Sequence, residues 1–136
     1  MVSADRRIVV RKRRRVVVRD DDLVREILLK IEASQESPLT IDGLGINDWD
    51  SKAVGYHLQL LHEAGLIVAN FAYADNVVYS ALIERLTWDG HEFLNAIRSD
   101  TVWAKTKSKI TETVGTASIE VVKAVASAVA LKALGL

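Results

Sequence analysis

Three histidines are the side chains of this sequence best suited to metal or acid–base chemistry, because the chain has no cysteine. His57 and His62 are five residues apart, a spacing that turns two helical side chains about 140° away from each other. A helical zinc pair has an i, i+4 spacing, so His91 would have to reach one of them through the fold. We expect capping or partly buried imidazoles and predict neither a metal site nor another cofactor.

Serine, histidine and acidic residues are present, but none stands in a recognisable catalytic pattern. The sequence contains no nucleophile elbow, glycine-rich phosphate loop or paired catalytic carboxylates. The lack of cysteine excludes thiolate metal sites and disulfides, and it favours a reducing compartment such as the cytoplasm. We expect a cytoplasmic protein that acts by binding and is not an enzyme.

Charge is distributed unevenly along the 136 residues, although 18 basic and 18 acidic side chains give no formal net charge. Residues 1–19 contain eight basic residues and one acid, whereas residues 20–136 contain ten basic and 17 acidic residues. The run Arg11-Lys12-Arg13-Arg14-Arg15 could neutralise phosphates of a nucleic acid. We interpret residues 1–18 as a basic flexible arm or an added edge strand. The alternative is a solvated tail or translated sequence upstream of the original start.

The polar side chains of one predicted helix are the candidates for reading DNA. Gln59 suits bidentate hydrogen bonding to adenine, and Lys52 is the one reliable cation of this helix. The predicted nucleic-acid-binding residues are Ser51, Lys52, His57, Gln59 and His62, with Arg11, Arg13, Arg14 and Arg15 of the arm. Ordinary solvation of a polar helix face is an equally good interpretation, because Asp48, Asp50 and Glu63 lie nearby and oppose phosphate binding.

Hydrophobic periodicity divides the chain after the arm into helices and strands. Apolar residues at three- and four-residue spacing predict helices, and runs rich in Val, Ile, Tyr and Phe predict strands. Asp89 and Glu92 have the spacing of a capping box. The predicted elements are a helix at 22–33, a strand at 39–41, a helix at 51–64, a hairpin of 66–73 and 77–86, a helix that begins at Thr87 or Asp89, a second helix that begins at Ser99 or Asp100, and a last helix at 118–134.

This order of helix, short strand, helix, hairpin and helix is that of a winged helix-turn-helix. The predicted fold class is α+β and mainly α, with a winged helix-turn-helix and its short β-hairpin wing at 19–98 and additional C-terminal helices at 99–136. Where an ordinary helix-turn-helix has a full positioning helix, only residues 41–49 are present, and they include Gly43 and Gly45. This abbreviation weakens the expectation of groove reading.

The last predicted helix is apolar on almost every side and must be covered by something. We predict a homodimer interface formed by Val121, Val122, Val125, Val129 and Leu131. Docking within the chain is the alternative. The charged residues Glu120 and Lys123 and the short apolar run argue against membrane association.

Three tryptophans could form an aromatic surface that stacks on bases. Trp88 and Trp103 flank apolar helical stripes, so we expect them in the core or at an interface.

Three stretches resemble known families. YHLQLLHEAGLI at 56–67 resembles the recognition helix and first wing strand of winged-helix repressors of the arsenical-resistance type, and LTWDGHEFL at 86–94 resembles the wing-to-helix junction of such regulators. Together with DLVREILLKIE at 22–32, they are similar to the domain-of-unknown-function 2513 family, small proteins of bacteria and their phages. The resemblance covers about Arg19 to Leu136, leaves the arm outside and implies no established activity.

These observations lead to two expected functions from different classes. The first is a DNA-binding transcriptional regulator of bacterial or phage origin, with double-stranded DNA as its partner. The second is a protein–protein interaction module whose acidic body engages or inhibits a host or phage protein without sequence-specific DNA binding. An accessory structural dimer with no nucleic-acid role is a third interpretation.

Overall fold

A computed structural model of the chain describes residues 18–113, 115 and 117–136. The predicted arm residues Arg11, Arg13, Arg14 and Arg15 lie outside the described residues. The predicted class, α+β and mainly helical, is confirmed. In chain order the elements are α1 (Asp21–Ala33), β1 (Leu39–Thr40), a 3₁₀ turn (Asp42–Leu44), α2 (Ser51–Glu63), β2 (Ile67–Ala74), β3 (Val77–Leu86), α3 (Trp88–Ile97), α4 (Asp100–Thr113) and α5 (Ile119–Ala133).

The three strands form one antiparallel sheet in the order β1-β3-β2. The short β1 pairs Leu39 with Ile83, and β2 pairs with β3 from Ile67 opposite Leu86 to Ala74 opposite Val77. Asp75 and Asn76 have φ angles of 52° and 64°, which are the positive values that a two-residue hairpin turn requires. The turn is one residue shorter than predicted, because Ala74 belongs to β2.

Side-chain caps define where the helices begin. Asp20 accepts a hydrogen bond from the Leu23 N–H at α1, and the Thr87 hydroxyl oxygen accepts one from the Gly90 N–H at α3. The predicted capping box of Asp89 and Glu92 is wrong, because Thr87 is the N-cap and Asp89 already lies in the first turn of α3. An acid in that turn is still favourable, since it faces the positive end of the helix dipole.

The core is built on the apolar stripe of α1, whose five buried residues are Leu23, Val24, Ile27, Leu28 and Ile31. Side chains from every other element join the same cluster, including those of α4 and α5. Trp49 and Trp103 are buried in it, as the helical stripe around Trp103 predicts. Trp88 is not, because its side chain is 77% exposed at the start of α3.

Polar contacts fasten α1 to the C-terminal helices. The Arg25 guanidinium donates to the carbonyls of Ile97 and Arg98 at the end of α3 and to the Asp100 carboxylate at the start of α4, at 2.7–2.8 Å. Asp22 accepts from the Trp103 indole N–H and from the Lys107 ammonium, each at 2.8 Å. Partial burial alone would raise the pKa of Asp22, but these two hydrogen bonds and the positive charges of Lys107 and Arg25 together outweigh it, and the pKa is lowered.

The last helix, α5, is covered partly from within the chain. Val122, Ala126 and Val129 are buried, and α5 packs on both α3 and α4. The prediction that Val122 and Val129 form a homodimer interface is therefore wrong, because their surfaces are already occupied by this chain. Among the described residues, none of the helices combines the length and apolar character needed to cross a bilayer.

The start of α3 lies against the junction of α2 and β2. The Thr87 N–H donates to the Leu66 carbonyl at 3.0 Å, and the Thr87 hydroxyl donates to the Gly65 carbonyl at 2.6 Å. One turn later the helix is so close that a Cβ on Gly90 would lie 2.0 Å from the Leu66 carbonyl oxygen. Since that neighbour is a backbone atom and cannot rotate away, only glycine fits at this position.

Gly90→Ala is expected to lower the free energy of unfolding by about 2 kcal/mol or more. Overpacking costs about 1–3 kcal/mol and sometimes more, which exceeds the ~1 kcal/mol that alanine gains over glycine inside a helix. Urea denaturation followed by circular dichroism measures the change. Glu92→Ala, at an exposed position of the same helix, is the control and should stay within about 0.5 kcal/mol of the unmodified chain. Equal stability of Gly90→Ala and the unmodified chain would contradict the close contact.

Candidate nucleic-acid interface

The polar side chains predicted to read DNA share one face of α2, with one exception. At 100° per residue, Ser51, Lys52, Gln59 and His62 lie within an arc of about 100°. Ser51, Lys52 and His62 are exposed and Gln59 is half-buried. Val54, Leu58 and Leu61 are buried on the neighbouring face, and Gly55, which falls inside the polar arc, is buried against Val78 of β3. The packing of α2 therefore leaves these four polar side chains at the surface, on both sides of the place where Gly55 meets the hairpin.

His57 is the exception, and the prediction that it faces a DNA groove is wrong. Its side chain is fully buried between α1 and α2. Nε2 lies 2.8 Å from the Asp20 backbone nitrogen, and Nδ1 lies 2.8 Å from the Ala53 carbonyl oxygen. A backbone N–H can only donate, so Nε2 is the acceptor and Nδ1 carries the proton that Ala53 accepts. His57 thus joins the first residue before α1 to the first turn of α2.

The environment of His57 opposes its protonation. Burial lowers the pKa of the imidazole, although the hydrogen bond to Ala53 and the nearby carboxylates of Asp20 and Asp21 act in the other direction. A second proton would also sit on Nε2, facing the Asp20 N–H. The sequence holds one signal of this buried position. Ala53 and Leu61, four residues before and after His57, are apolar and share its side of the helix, and both are buried.

An aromatic row continues from α2 onto the hairpin. The His62 ring lies 5.5 Å from the Phe71 ring in an edge-on arrangement, and the Phe71 ring lies 6.4 Å from that of Tyr73. Tyr73 is 54% exposed. Sequence reasoning took these aromatics only as strand formers. The signal that could have found the row is the i, i+2 spacing of Phe71 and Tyr73, which places two side chains on one face of a strand.

Acidic residues surround this face. Residues 18–99 contain 14 acidic and six basic side chains. Asp50 and Glu63 stand at the two ends of α2, and Asp75 lies at the tip of the hairpin. Burial, and after it the neighbouring Asp48 carboxylate, raises the pKa of Glu26 on α1. Lys52 is the only cation on the polar face of α2, so the described residues alone offer little to neutralise phosphates.

The segment before α2 has the abbreviated form that the sequence indicates. It contains the 3₁₀ turn Asp42–Leu44 and no longer helix, and Leu44 and Trp49 anchor the segment by burial. In the part of the chain that the structure describes, no three histidine or carboxylate side chains converge as a metal site would require.

The chain matches the family described as "Hypothetical protein (DUF2513)" over residues 18–117, and it belongs to this family. The resemblance inferred from the sequence is therefore confirmed. The match ends before α5 and leaves residues 1–17, with the whole arginine run of the basic arm, outside. A protein of Haemophilus influenzae described as "Uncharacterized protein" is 40% identical over 111 residues, which cover 82% of this chain and 93% of that protein. No solved structure matches the chain.

The burial of neutral His57 predicts a loss of stability in mild acid. The unfolded chain binds a proton at the ordinary histidine pKa of about 6.5, whereas the folded chain, with its lowered pKa, does not. Stability is therefore complete above about pH 6.5 and falls below it, by at most about 1.4 kcal/mol per pH unit, until the folded-state pKa is reached.

Urea titrations at pH 7.5, 6.5, 5.5 and 5.0 measure this loss. In His57→Gln the side-chain oxygen can still accept from the Asp20 N–H but does not titrate, so the dependence between pH 6.5 and 5 should flatten. His62→Gln, on the same helix but exposed, retains the dependence because His57 is intact. A loss of the same size in His57→Gln as in the unmodified chain would contradict the assignment.

Proposed function

We propose that this chain is a winged-helix DNA-binding protein that regulates transcription in a bacterium or phage. The order α1, β1, α2, β2, β3 and α3, with β3 between β1 and β2, supports the winged-helix interpretation. In this interpretation α2 is the recognition helix and the β2–β3 hairpin is the wing. The 3₁₀ turn takes the place of the positioning helix.

The single observation that carries the proposal is the outward polar face of α2. Its four predicted side chains share one arc of about 100° and reach the surface, while Ala53, Val54, Leu58 and Leu61 are packed in the core. A helix presented in this way fits the major groove, where base edges are read by side chains with matched donors and acceptors. Gln59 would read adenine, Lys52 a guanine or a phosphate, and Ser51 a phosphate at the helix N-terminus.

The basic arm supplies what the described face lacks. The excess of acids over residues 18–99 repels phosphates, so Arg11, Arg13, Arg14 and Arg15 are assigned to neutralise them. The attachment point of the arm is fixed beside α2. The Arg19 guanidinium pairs with Asp21 at 2.7 Å and donates to the Ala117 carbonyl. The backbone N–H of Asp20 donates to Nε2 of His57 on α2.

Dimerisation belongs to this proposal because helix-turn-helix proteins read paired half-sites as dimers. Val121 and Leu131 keep 44% and 49% of their surfaces exposed on α5. They remain the candidates for a contact between two copies, whereas Val125 is half-buried.

Removal of the adenine-reading amide should lower specific binding and leave non-specific binding unchanged. Gln59→Ala is expected to weaken binding to the preferred duplex by about 1–3 kcal/mol, roughly 5- to 150-fold, with no change on a random duplex. Fluorescence anisotropy with the upstream region of the gene and a scrambled duplex measures both affinities. Gln35→Ala, an exposed glutamine outside α2, is the control. Equal losses on the two duplexes would show that Gln59 reads no base.

Neutralisation of the arm should change the salt dependence. Substitution of Arg11, Arg13, Arg14 and Arg15 by glutamine in the full chain is expected to make the slope of log K against log salt less steep by about 3 to 4. The same titration repeated between 50 and 200 mM salt measures the slope. A slope equal to that of the unmodified chain would show that these arginines contact no phosphates.

A protein-interaction module is the second candidate, and the acidic surroundings of the aromatic row favour it. Exposed aromatic side chains are common anchors in protein interfaces, and the carboxylates around His62, Phe71 and Tyr73 would suit a basic partner. The two candidates differ in the duplex titration. If the unmodified chain binds no duplex at 50 mM salt, the DNA-binding proposal is wrong and the interaction module stands.

A further inference from the structure

An open groove of about 670 Å³ lies between α4 and α5, far along the chain from the α2 face. Its floor is apolar and contains two small alanines, and lysines stand along its sides. The lining residues are Lys105, Ser108 and Lys109 of α4 and Val125, Ala128, Val129, Lys132 and Ala133 of α5.

The lining residues repeat with the period of a helix. On α5 they recur at i, i+3, i+4, i+7 and i+8, so they form one continuous strip about 12 Å long from Val125 to Ala133. On α4, Lys105 and Lys109 are one turn apart and follow the same direction. The groove therefore has the length of about two helical turns, with positive charge along its side and not only at one end.

The charge of this region is opposite to that of the rest of the described chain. Residues 100–136 contain five lysines and three acids, whereas residues 18–99 have a large excess of acids. Within the described ranges, Lys105, Lys109 and Lys132 form no ion pairs. Glu112, an acid on the same helix, is held by the Ser108 hydroxyl at 3.1 Å.

Two occupants are disfavoured by this charge. In a symmetric dimer the same patch faces itself, so a groove-to-groove contact would bring the lysines of the two copies together. The arm of the same chain carries five adjacent basic residues and would be repelled as well. A partner with negative charges beside an apolar side suits both the lysines and the apolar floor.

We propose that the α4–α5 groove binds an acidic amphipathic helix of another protein. The apolar side of that helix lies on Val125 and Ala128, and its carboxylates pair with Lys105, Lys109 and Lys132. Helices pack at 8–10 Å between axes when the contact residues are small, which Ala128 and Ala133 allow. This is recognition of a helix in a groove, and it uses no residue of the α2 face.

The test uses the full chain and two fluorescein-labelled synthetic peptides. Both have leucines at heptad positions a and d; one has glutamates at e and g, and the other has lysines there. Fluorescence anisotropy should show the glutamate peptide binding at least about tenfold more tightly than the lysine peptide, with the preference weakening at high salt.

Two sets of variants locate the binding. Combined Lys105→Glu, Lys109→Glu and Lys132→Glu should reverse the preference, so that the lysine peptide binds; this gain also shows that the variant is folded. Ala128→Trp should block the groove. Lys123→Glu and Ser127→Trp change positions of α5 that do not line the groove, and both should bind as the unmodified chain does.

Three results would overturn the proposal. Binding that survives the groove variants and disappears when Arg11, Arg13, Arg14 and Arg15 are glutamine would assign the peptide to the arm. Failure of both peptides to bind would show that the groove takes no helix of this kind. A dimer in sedimentation that Ala128→Trp dissociates would show that a second copy fills the groove. None of these results bears on duplex binding, which is measured separately.

Discussion

The packing of α1 is the constraint on which the other elements depend. Its apolar stripe is fully enclosed, and each end and the middle of the helix carry a polar contact to a distant part of the chain. Asp20 meets His57 at the start, Arg25 closes the junction between α3 and α4 in the middle, and Glu32 forms a two-bond pair with Arg98 near the end. These contacts fix the side of α2 that faces inwards and the line along which the C-terminal helices lie.

Local patterns in the sequence predict most of the elements because each depends on neighbours close in the chain. Asp20 and Thr87 cap helices through residues three positions away, and Gly65 ends α2 with a φ of 77°. The polar arc of α2 follows from helical period alone. His57 escapes such reasoning because its acceptor role depends on Asp20, 37 residues earlier. Trp88 escapes it because exposure at the first position of α3 is decided by how the helix docks.

The division of α5 into covered and open residues escapes sequence reasoning for a similar reason. Composition shows that the helix must be covered, but it cannot show how much of the cover comes from α3 and α4. Within the chain, Val122 and Val129 are buried while Val121 and Leu131 stay open. The remaining surface is divided by charge: the α2 face lies among carboxylates, and the α4–α5 groove lies among lysines. A protein with two surfaces of opposite sign can hold two different partners without competition between them.

The pairing of β2 with β3 has a consequence for the open edge of the sheet. β2 is an outer strand of the sheet, and an outer strand offers backbone groups that another chain can pair with. The register shifts twice along the hairpin, between Val68 and Ala69 and between Ala72 and Tyr73, so that β3 has an extra residue at Glu84 and at Tyr79. Such bulges increase the local twist and bend the strand pair. A twisted edge is a poorer template than a flat one for an extended strand from a second molecule, so the bulges disfavour edge-to-edge pairing of two hairpins.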